Sequence, residues 1–173
     1  MPHLIAFHGT SPTISDTAFV APTAALIGDV SLGPFASAFY GACLRADTAP
    51  IRVGEGTNLQ DNVVVHADPG HPALIGARVS VGHGAVVHGC IIEDDCLIGM
   101  SATVMNGAVV GAGSLVAAGA VVLEGTMIPP RSLVAGVPAK VRRELDDDEV
   151  AGVCANAERY RSLAQEHRIA LTS

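Results

Sequence analysis

Branched aliphatic residues recur at a fixed interval along the second half of the chain. Eight of them follow one another at spacings of six residues: Ile92, Ile98, Val104, Val110, Val116, Val122, Ile128 and Val134. A small residue or proline comes four positions after each one, ending at Pro138. A helix repeats its apolar positions every 3.6 residues and a simple strand every 2. A period of six therefore predicts short strands joined by tight corners.

The same register extends toward the N-terminus with three breaks. Its positions there are Val87, Val81, Ile75, Val65, Leu59, Val53, Leu44, Ala38 and Leu32. The spacing is short by one residue at 87–92, long by four at 65–75 and long by three at 44–53. We expect the two long gaps, which contain the segments ADPGHP and TAP, to form loops that protrude from the repeat.

The segment after Pro138 changes to helical spacing. Acidic residues open it and basic residues follow, which favours a helix through its dipole. A stripe of apolar residues is available to pack against the repeat or a neighbouring subunit, at Val150, Val153, Ala157, Tyr160 and Ala164. The pattern divides the chain into a repeat domain over residues 1–140 and a helical segment over 141–173.

The amino-acid composition limits which residues can form the core and which classes of partner the protein can bind. The chain is 49% hydrophobic but only 3% aromatic and has no Trp, so small aliphatic residues must fill its core. A net charge of −7 argues against a nucleic-acid partner, which requires a basic patch. No segment has the roughly 18 consecutive apolar residues of a membrane span. We therefore expect a cytoplasmic protein with no membrane partner.

The six-residue pattern resembles the hexapeptide repeat of left-handed parallel β-helices. In that fold three hexads make one triangular coil, and coils stack along the axis. The resemblance implies a mainly β fold, a left-handed parallel β-helix of hexapeptide repeats followed by a C-terminal α-helix.

If three hexads make a coil, residues at the same offset three hexads apart stack about 4.8 Å apart. His66 follows Val65 and His88 follows Val87, so these two histidines should stack. Arg45 follows Leu44 and extends their column by one coil. His83 comes two residues after Val81, on a neighbouring face, and Asp61 occupies the same offset one coil below it.

His83 cannot readily converge with His66 and His88 inside one rigid prism, but a second subunit could supply it. A cyclic trimer would bring the two columns together and form one metal site at each interface. Three imidazoles with an open fourth position are the ligand set of a catalytic zinc ion. The alternative is that they are ordinary surface or core histidines, which is our interpretation of His3, His8, His71 and His167 taken singly.

Three longer motifs closely resemble the gamma-class carbonic anhydrase-like family: LRADTAPIRVGEGTNLQDNVVVH, IGARVSVGHGAVVHGC and IGMSATVMNGAVV. The resemblance extends from about Leu26 to the helix that contains Tyr160. It implies that His66, His83 and His88 bind a metal ion, Zn or alternatively Fe or Co, at the interfaces of a homotrimer. It also implies reversible hydration of CO2 to bicarbonate by metal-bound hydroxide.

The resemblance also assigns six polar residues to the site: Arg45, Asp47, Asn58, Gln60, Asp61 and Tyr160. Arg45 and Asp61 carry opposite charges and are expected to form a salt bridge across the subunit interface. Gln60 is expected to orient the metal-bound hydroxide, and Asn58 and Tyr160 to shape the pocket. The alternative is that these residues only satisfy backbone groups at corners and interfaces.

The sequence departs from well-characterised family members at two places. Thr48 follows Asp47 where a proton-shuttle glutamate would stand, and the long acidic loop that carries a second shuttle is absent. The loop after His66 contains only Asp68 and His71 as titratable residues. Since imidazole titrates near neutrality, His71 is a candidate substitute, and we expect a modest turnover.

Two further functions remain open at the sequence level. The same fold carries acyltransferases, and some relatives are associated with thioester hydrolysis, so an acyl-CoA thioesterase or acyltransferase is the enzymatic alternative. Acyltransferases of this class usually rely on one histidine without a metal, whereas this chain has three in metal-compatible columns. The other alternative is a trimeric scaffold whose metal ions only hold its subunits together.

Overall fold

A computed structural model describes residues 1–171; residues 172 and 173, at the end of the predicted helical segment, lie outside the described residues. The chain forms a left-handed β-helix of about seven turns with a single C-terminal helix, which confirms the predicted fold class. No helix within residues 1–171 is long and apolar enough to span a membrane.

Three columns of short parallel strands form the faces of the β-helix. Two long strands contribute to both the first and the second face, because each continues around the corner between them: β4 (Ala25–Leu32) and β6 (Cys43–Val53). The first face also contains β1 (His3–Ile5), β8 (Val64–His66), β11 (Val86–His88), β14 (Thr103–Val104) and β17 (Val121–Val122).

The other two faces are built in the same way. The second face contains β2 (Thr13–Ile14), β9 (Ala73–Ile75), β12 (Ile91–Ile92), β15 (Val109–Val110) and β18 (Met127–Ile128). The third face contains β3 (Phe19–Val20), β5 (Ser37–Ala38), β7 (Asn58–Leu59), β10 (Ser80–Val81), β13 (Leu97–Ile98), β16 (Leu115–Val116), β19 (Ser132–Ala135) and β20 (Lys140–Glu144). The last strand, β20, is antiparallel to β19.

The six-residue period is the spacing of inward-facing side chains. Val65, Val87, Val104 and Val122 are fully buried one above another, and the small residue at the corner is buried in most hexads, as at Ala102, but not at Thr126 or Pro138. The corner before the first face turns through residues in the left-handed region, with φ of 59° at Asn62, 68° at Gly84 and 57° at Ser101. This corner carries His83 just before Gly84.

The expectation of two protruding loops is confirmed at one gap, whereas at the other the extra residues form a bulge within a strand. ADPGHP forms a turn, closed by the hydrogen bond from the His71 amide to the Asp68 carbonyl oxygen, 2.8 Å. TAP instead lies inside the continuous strand β6. Gly28 pairs with Ala46 and Val30 with Ile51, so residues 47–50 stand opposite a single residue of β4 and bulge out of the ladder.

Helix α1 (Asp147–Ala170) packs along the third face. Asp146 caps it, accepting a hydrogen bond from the Glu149 amide, while the Glu149 side chain accepts one from the Asp146 amide. The predicted apolar stripe faces the β-helix, with Val153, Ala157 and Ala164 buried. The Tyr160 ring meets Phe39 edge-on at 5.6 Å between centroids, which fixes Tyr160 over the third face.

Candidate metal centre

Two of the predicted histidines stack on the first face. Arg45 pairs with His66 in the register between β6 and β8, and His66 pairs with His88 between β8 and β11. The predicted column is therefore confirmed. The alternation of inward and outward side chains points these residues away from the core.

The two rings of this column face each other through nitrogen atoms. His66 Nδ1 lies 2.9 Å from His88 Nε2, and His66 Nε2 lies 3.0 Å from Asp47 Oδ1. Arg45 forms an ion pair with the other oxygen of Asp47. Burial works to raise the pKa of Asp47, but the hydrogen bonds with Arg45 and His66 outweigh it and leave that pKa lowered. Asp47 is therefore an acceptor-only carboxylate at neutral pH.

Two residues that sequence reasoning did not select complete this cluster. Asn106 Oδ1 lies 2.8 Å from His88 Nδ1, and Asn106 Nδ2 donates to Asp68 Oδ2 at 2.9 Å. The hydrogen bond from Asn106 is the main reason that the pKa of Asp68 is lowered. The register contained a signal for Asn106, since Val104 pairs with Val87 and Asn106 therefore lies one coil beyond Gly89. The register gave none for Asp68, which belongs to the inserted turn.

The third predicted histidine lies elsewhere. His83 projects from the corner between the third and first faces, where its Nδ1 lies 2.8 Å from Asp61 Oδ2. This contact confirms the predicted stacking of His83 over Asp61. The Tyr160 hydroxyl lies 3.3 Å from His83 Nε2. Partial burial and the nearby Asp61 carboxylate raise the pKa of Tyr160, so its hydroxyl remains protonated and can donate to that nitrogen.

Gln60 and Asn58 lie on the third face beside His83. Both side chains are buried; Gln60 Nε2 donates to Asn58 Oδ1 at 3.1 Å, and Asn58 Nδ2 donates to Ser80 Oγ at 2.9 Å. Gln60, His83 and Tyr160 line one end of a cleft of about 350 Å³ whose remaining walls are mainly aliphatic. A polar end and an apolar wall are typical of small-molecule sites.

The donor atoms on the first face suit a transition-metal ion. His66, His88 and Asp68 each offer a ligand atom, and these atoms lie within 4.8 Å of one another. Imidazole nitrogen and carboxylate oxygen are both ligands that Zn²⁺ and Fe²⁺ accept. His83 does not belong to this group, so one chain brings two of the three predicted histidines together.

Thr48 and His71, which bear on proton removal, lie at the edges of the cluster. The Thr48 hydroxyl donates to the Ala67 carbonyl oxygen and so braces the start of the inserted turn. His71 is exposed at the end of that turn, and its ring lies beside Gly107, whose amide donates to the Gly89 carbonyl oxygen. Thr48 thus has a structural contact, and His71 lies at the solvent side.

Comparisons with known proteins agree with this architecture. A family model described as bacterial transferase hexapeptide (six repeats) matches residues 89–124. A probable carbonic anhydrase of Methanocaldococcus jannaschii is 54% identical over 152 residues, covering 88% of this chain and 96% of the relative. Gamma carbonic anhydrase 2, mitochondrial, of Arabidopsis thaliana is 45% identical over 91% of this chain, which spans only 59% of that relative.

A solved structure shows the same fold over nearly the whole chain. The crystal structure of a hexapeptide transferase family protein from Anaplasma phagocytophilum superposes with a TM-score of 0.92 at 40% identity, covering 95% of this chain and 97% of that one. With 54% identity to a probable carbonic anhydrase along almost the full length of both chains, this protein belongs to the gamma carbonic anhydrase-like family of hexapeptide-repeat proteins.

Proposed function

We propose that this protein is a metal-dependent lyase that catalyses the reversible hydration of CO2 to bicarbonate. The observation that supports this most strongly is the pair of imidazole nitrogens, His66 Nδ1 and His88 Nε2, that face each other at 2.9 Å on an outward face. The family membership and the names of the relatives support the same reading.

A homotrimer would complete the site. His83 lies on a different corner from His66 and His88, so His83 of one subunit would join the two histidines of the next. Asp61 Oδ2 lies 2.8 Å from His83 Nδ1, so Nε2, which faces the Tyr160 hydroxyl within one chain, is the nitrogen that would turn to a metal ion in the trimer. Within one chain Arg45 pairs with Asp47 and Asp61 with His83, and we propose that Arg45 and Asp61 also attract each other across the interface.

The ion would be Zn, with Fe or Co as alternatives, held by His66, His88 and His83. A zinc ion with three imidazole ligands lowers the pKa of its bound water to about 7 and so supplies a nucleophile at neutral pH. Gln60, fixed by Asn58, would present a polar group at the end of the cleft where CO2 binds. Tyr160 would close that end, since its hydroxyl already reaches His83.

Proton removal is the step for which this chain is least equipped. Thr48 has a hydroxyl where a carboxylate would serve as shuttle, and its hydrogen bond to Ala67 is structural. His71, exposed on the inserted turn, is our candidate for the substitute group. We therefore propose a modest turnover and, as the sequence predicts, a cytoplasmic location.

A thioester or other acyl substrate is the second candidate, favoured by the size of the cleft. Its volume of about 350 Å³ lies within the range of about 300–1,000 Å³ that is usual for small-molecule pockets, more than CO2 requires. The solved structure at 40% identity is named as a hexapeptide transferase family protein. A trimer that binds metal without turnover would instead indicate the scaffold.

An assay of two reactions on one preparation tests the proposal. Anaerobically purified, metal-analysed protein is compared with His88→Ala for CO2 hydration and for hydrolysis of acetyl-CoA. CO2 hydration that is lost in the variant supports the lyase. Acetyl-CoA hydrolysis without CO2 hydration would indicate a thioesterase. A protein that binds metal but catalyses neither reaction would indicate the non-catalytic scaffold.

A further inference from the structure

Neutral His88 can carry its proton on either ring nitrogen, and this tautomer determines whether its contact with His66 is a hydrogen bond. A neutral imidazole donates from one nitrogen and accepts at the other. If His88 carries its proton on Nε2, the 2.9 Å contact with His66 Nδ1 is a hydrogen bond between two rings. If the proton is on Nδ1 and His66 Nδ1 carries none, both facing nitrogens present an electron pair, which is the arrangement that a shared metal ion would stabilise.

Neutral His66 cannot resolve the conflict by donating from Nδ1, whereas a protonated His66 would donate from both of its nitrogens. Its Nε2 lies 3.0 Å from an oxygen of Asp47, and an ionised carboxylate only accepts hydrogen bonds. The proton of neutral His66 is therefore on Nε2, and its Nδ1 presents an electron pair to His88.

Asp68 settles the orientation of the Asn106 amide. The amide nitrogen of Asn106 donates to Asp68 Oδ2 at 2.9 Å, and a carboxylate cannot serve the reverse arrangement. The amide oxygen must then face His88 Nδ1, at 2.8 Å. Because an amide oxygen is an acceptor, His88 Nδ1 carries the proton and Nε2 the electron pair.

The backbone around Gly89 leaves space for this arrangement. A Cβ atom on Gly89 would lie 2.1 Å from Asn106 Oδ1 and 2.9 Å from the Cβ of His71, and φ at Gly89 is +55°. Any larger residue would push the amide oxygen away from His88. The inserted turn that carries Asp68 and His71 thus rests on a site that only glycine accommodates.

We propose that Asp68 and Asn106 are positioning residues that hold the proton of His88 on Nδ1 and so keep its Nε2 electron pair directed at His66 Nδ1. With His66 neutral, two electron pairs 2.9 Å apart repel each other unless a metal ion lies between or beside them, so this tautomer of His88 favours metal binding over a hydrogen bond between the rings. The inference rests on the metal-binding function proposed above for His88. In this proposal Asp68 acts on the metal site through Asn106 and is not itself a metal ligand.

The test combines a tautomer measurement on metal-free protein with a zinc affinity. The variants are Asn106→Leu and Asp68→Ala, with Glu124→Ala as the matched control, because Glu124 is exposed and occupies the same offset as Asn106 one coil further along. Imidazole ¹⁵N shifts at a pH where His88 is neutral report which nitrogen is protonated. Competition with a chelator gives the zinc affinity.

We expect the Nδ1–H form of His88 in the wild type and in Glu124→Ala, and a shift toward the Nε2–H form in both test variants. Zinc affinity should fall on the order of 10- to 100-fold in those variants, as for other partners of metal-bound histidines. An unchanged tautomer overturns the proposal. If Asp68→Ala weakens zinc binding with the tautomer intact, Asp68 is a ligand and the proposal is again wrong.

The two proposals fail in different ways. A wild type that hydrates no CO2 but shows the expected tautomer and zinc affinities contradicts the proposed reaction and leaves the positioning pair supported. A wild type with His88 in the Nε2–H form contradicts the positioning pair, whatever its activity.

Discussion

Asp61 lies one coil below His83, and its Oδ2 atom lies 2.8 Å from the Nδ1 atom of that histidine. A carboxylate in this position orients the ring and makes the opposite nitrogen a better ligand. Asp61 and Asp47 thus act alike on different faces, since each occupies one nitrogen of a histidine that we propose to bind metal.

Asp61→Ala should weaken zinc binding on the order of 10- to 100-fold, because His83 loses the acceptor that fixes its tautomer. The fold should persist, since the Asp61 side chain is 38% exposed. Zinc affinity by chelator competition measures the effect. Asp148→Ala, which removes the same charge from the exposed start of the helix, should bind zinc as the wild type does. Equal affinities in all three proteins would contradict the function assigned to Asp61.

Mixing His83→Ala chains with His66→Ala chains should create metal sites that neither variant forms alone. An interface in which one subunit supplies His83 and the next supplies His66 and His88 is intact in about a quarter of the positions of a randomly mixed ring trimer. Refolding the two variants together and measuring zinc per chain tests this. Strong zinc binding by His83→Ala alone would place the site inside one chain, and no recovery on mixing would contradict a shared site.

The helix cap should respond to acid through Glu149. Its hydrogen bonds and ion pair with Arg143 lower the pKa of Glu149 to about 2. Because the folded pKa lies below the unfolded value, the stabilisation is complete above about pH 4.5 and is lost as the pH falls toward 2. Urea unfolding should show Glu149→Gln to be less stable than the wild type at pH 7, with a difference that shrinks below pH 4.5. A constant difference from pH 7 to pH 3 would refute this assignment.

Truncation of Ile98, which is fully buried on the third face, should strongly reduce the stability of the fold. Ile98→Ala removes three buried carbon atoms and should lower the free energy of unfolding by about 3 kcal/mol. Leu123→Ala is the control, because Leu123 is 52% exposed and its truncation should change stability by less than about 0.5 kcal/mol. Similar losses in both variants, measured by urea unfolding, would contradict the assignment of interior positions.

Much of this structure could be predicted from the sequence, because in a repeat with a fixed number of residues per coil the sequence spacing determines which residues stack. Counting three hexads placed His66 on His88 and Asp61 under His83, and both contacts are present. The same counting separated His83 from the other two histidines. The inference needed no knowledge of side-chain geometry, since the register alone determines which residues stack.

The insertions escaped this counting, because no repeat governs their conformation. TAP was expected to form a separate loop, but it forms a bulge within β6, where the pairing shifts register between Gly28 and Val30. Asp68 reaches Asn106 through a turn whose shape depends on Gly89 and His71. Asn106 itself was within reach of the register, because the pairing of Val87 with Val104 places it one coil beyond Gly89, next to His88.

If metal held at His88 and its partners hydrates CO2, the rate of hydration must depend on bound metal. The most direct test is the stopped-flow rate of CO2 hydration measured while zinc is added to metal-free protein, with His88→Ala treated in parallel. The account predicts a rate that rises in proportion to bound zinc, saturates as the interfacial sites fill and is absent in the variant. A rate that does not depend on bound zinc, or one that His88→Ala retains, would contradict it.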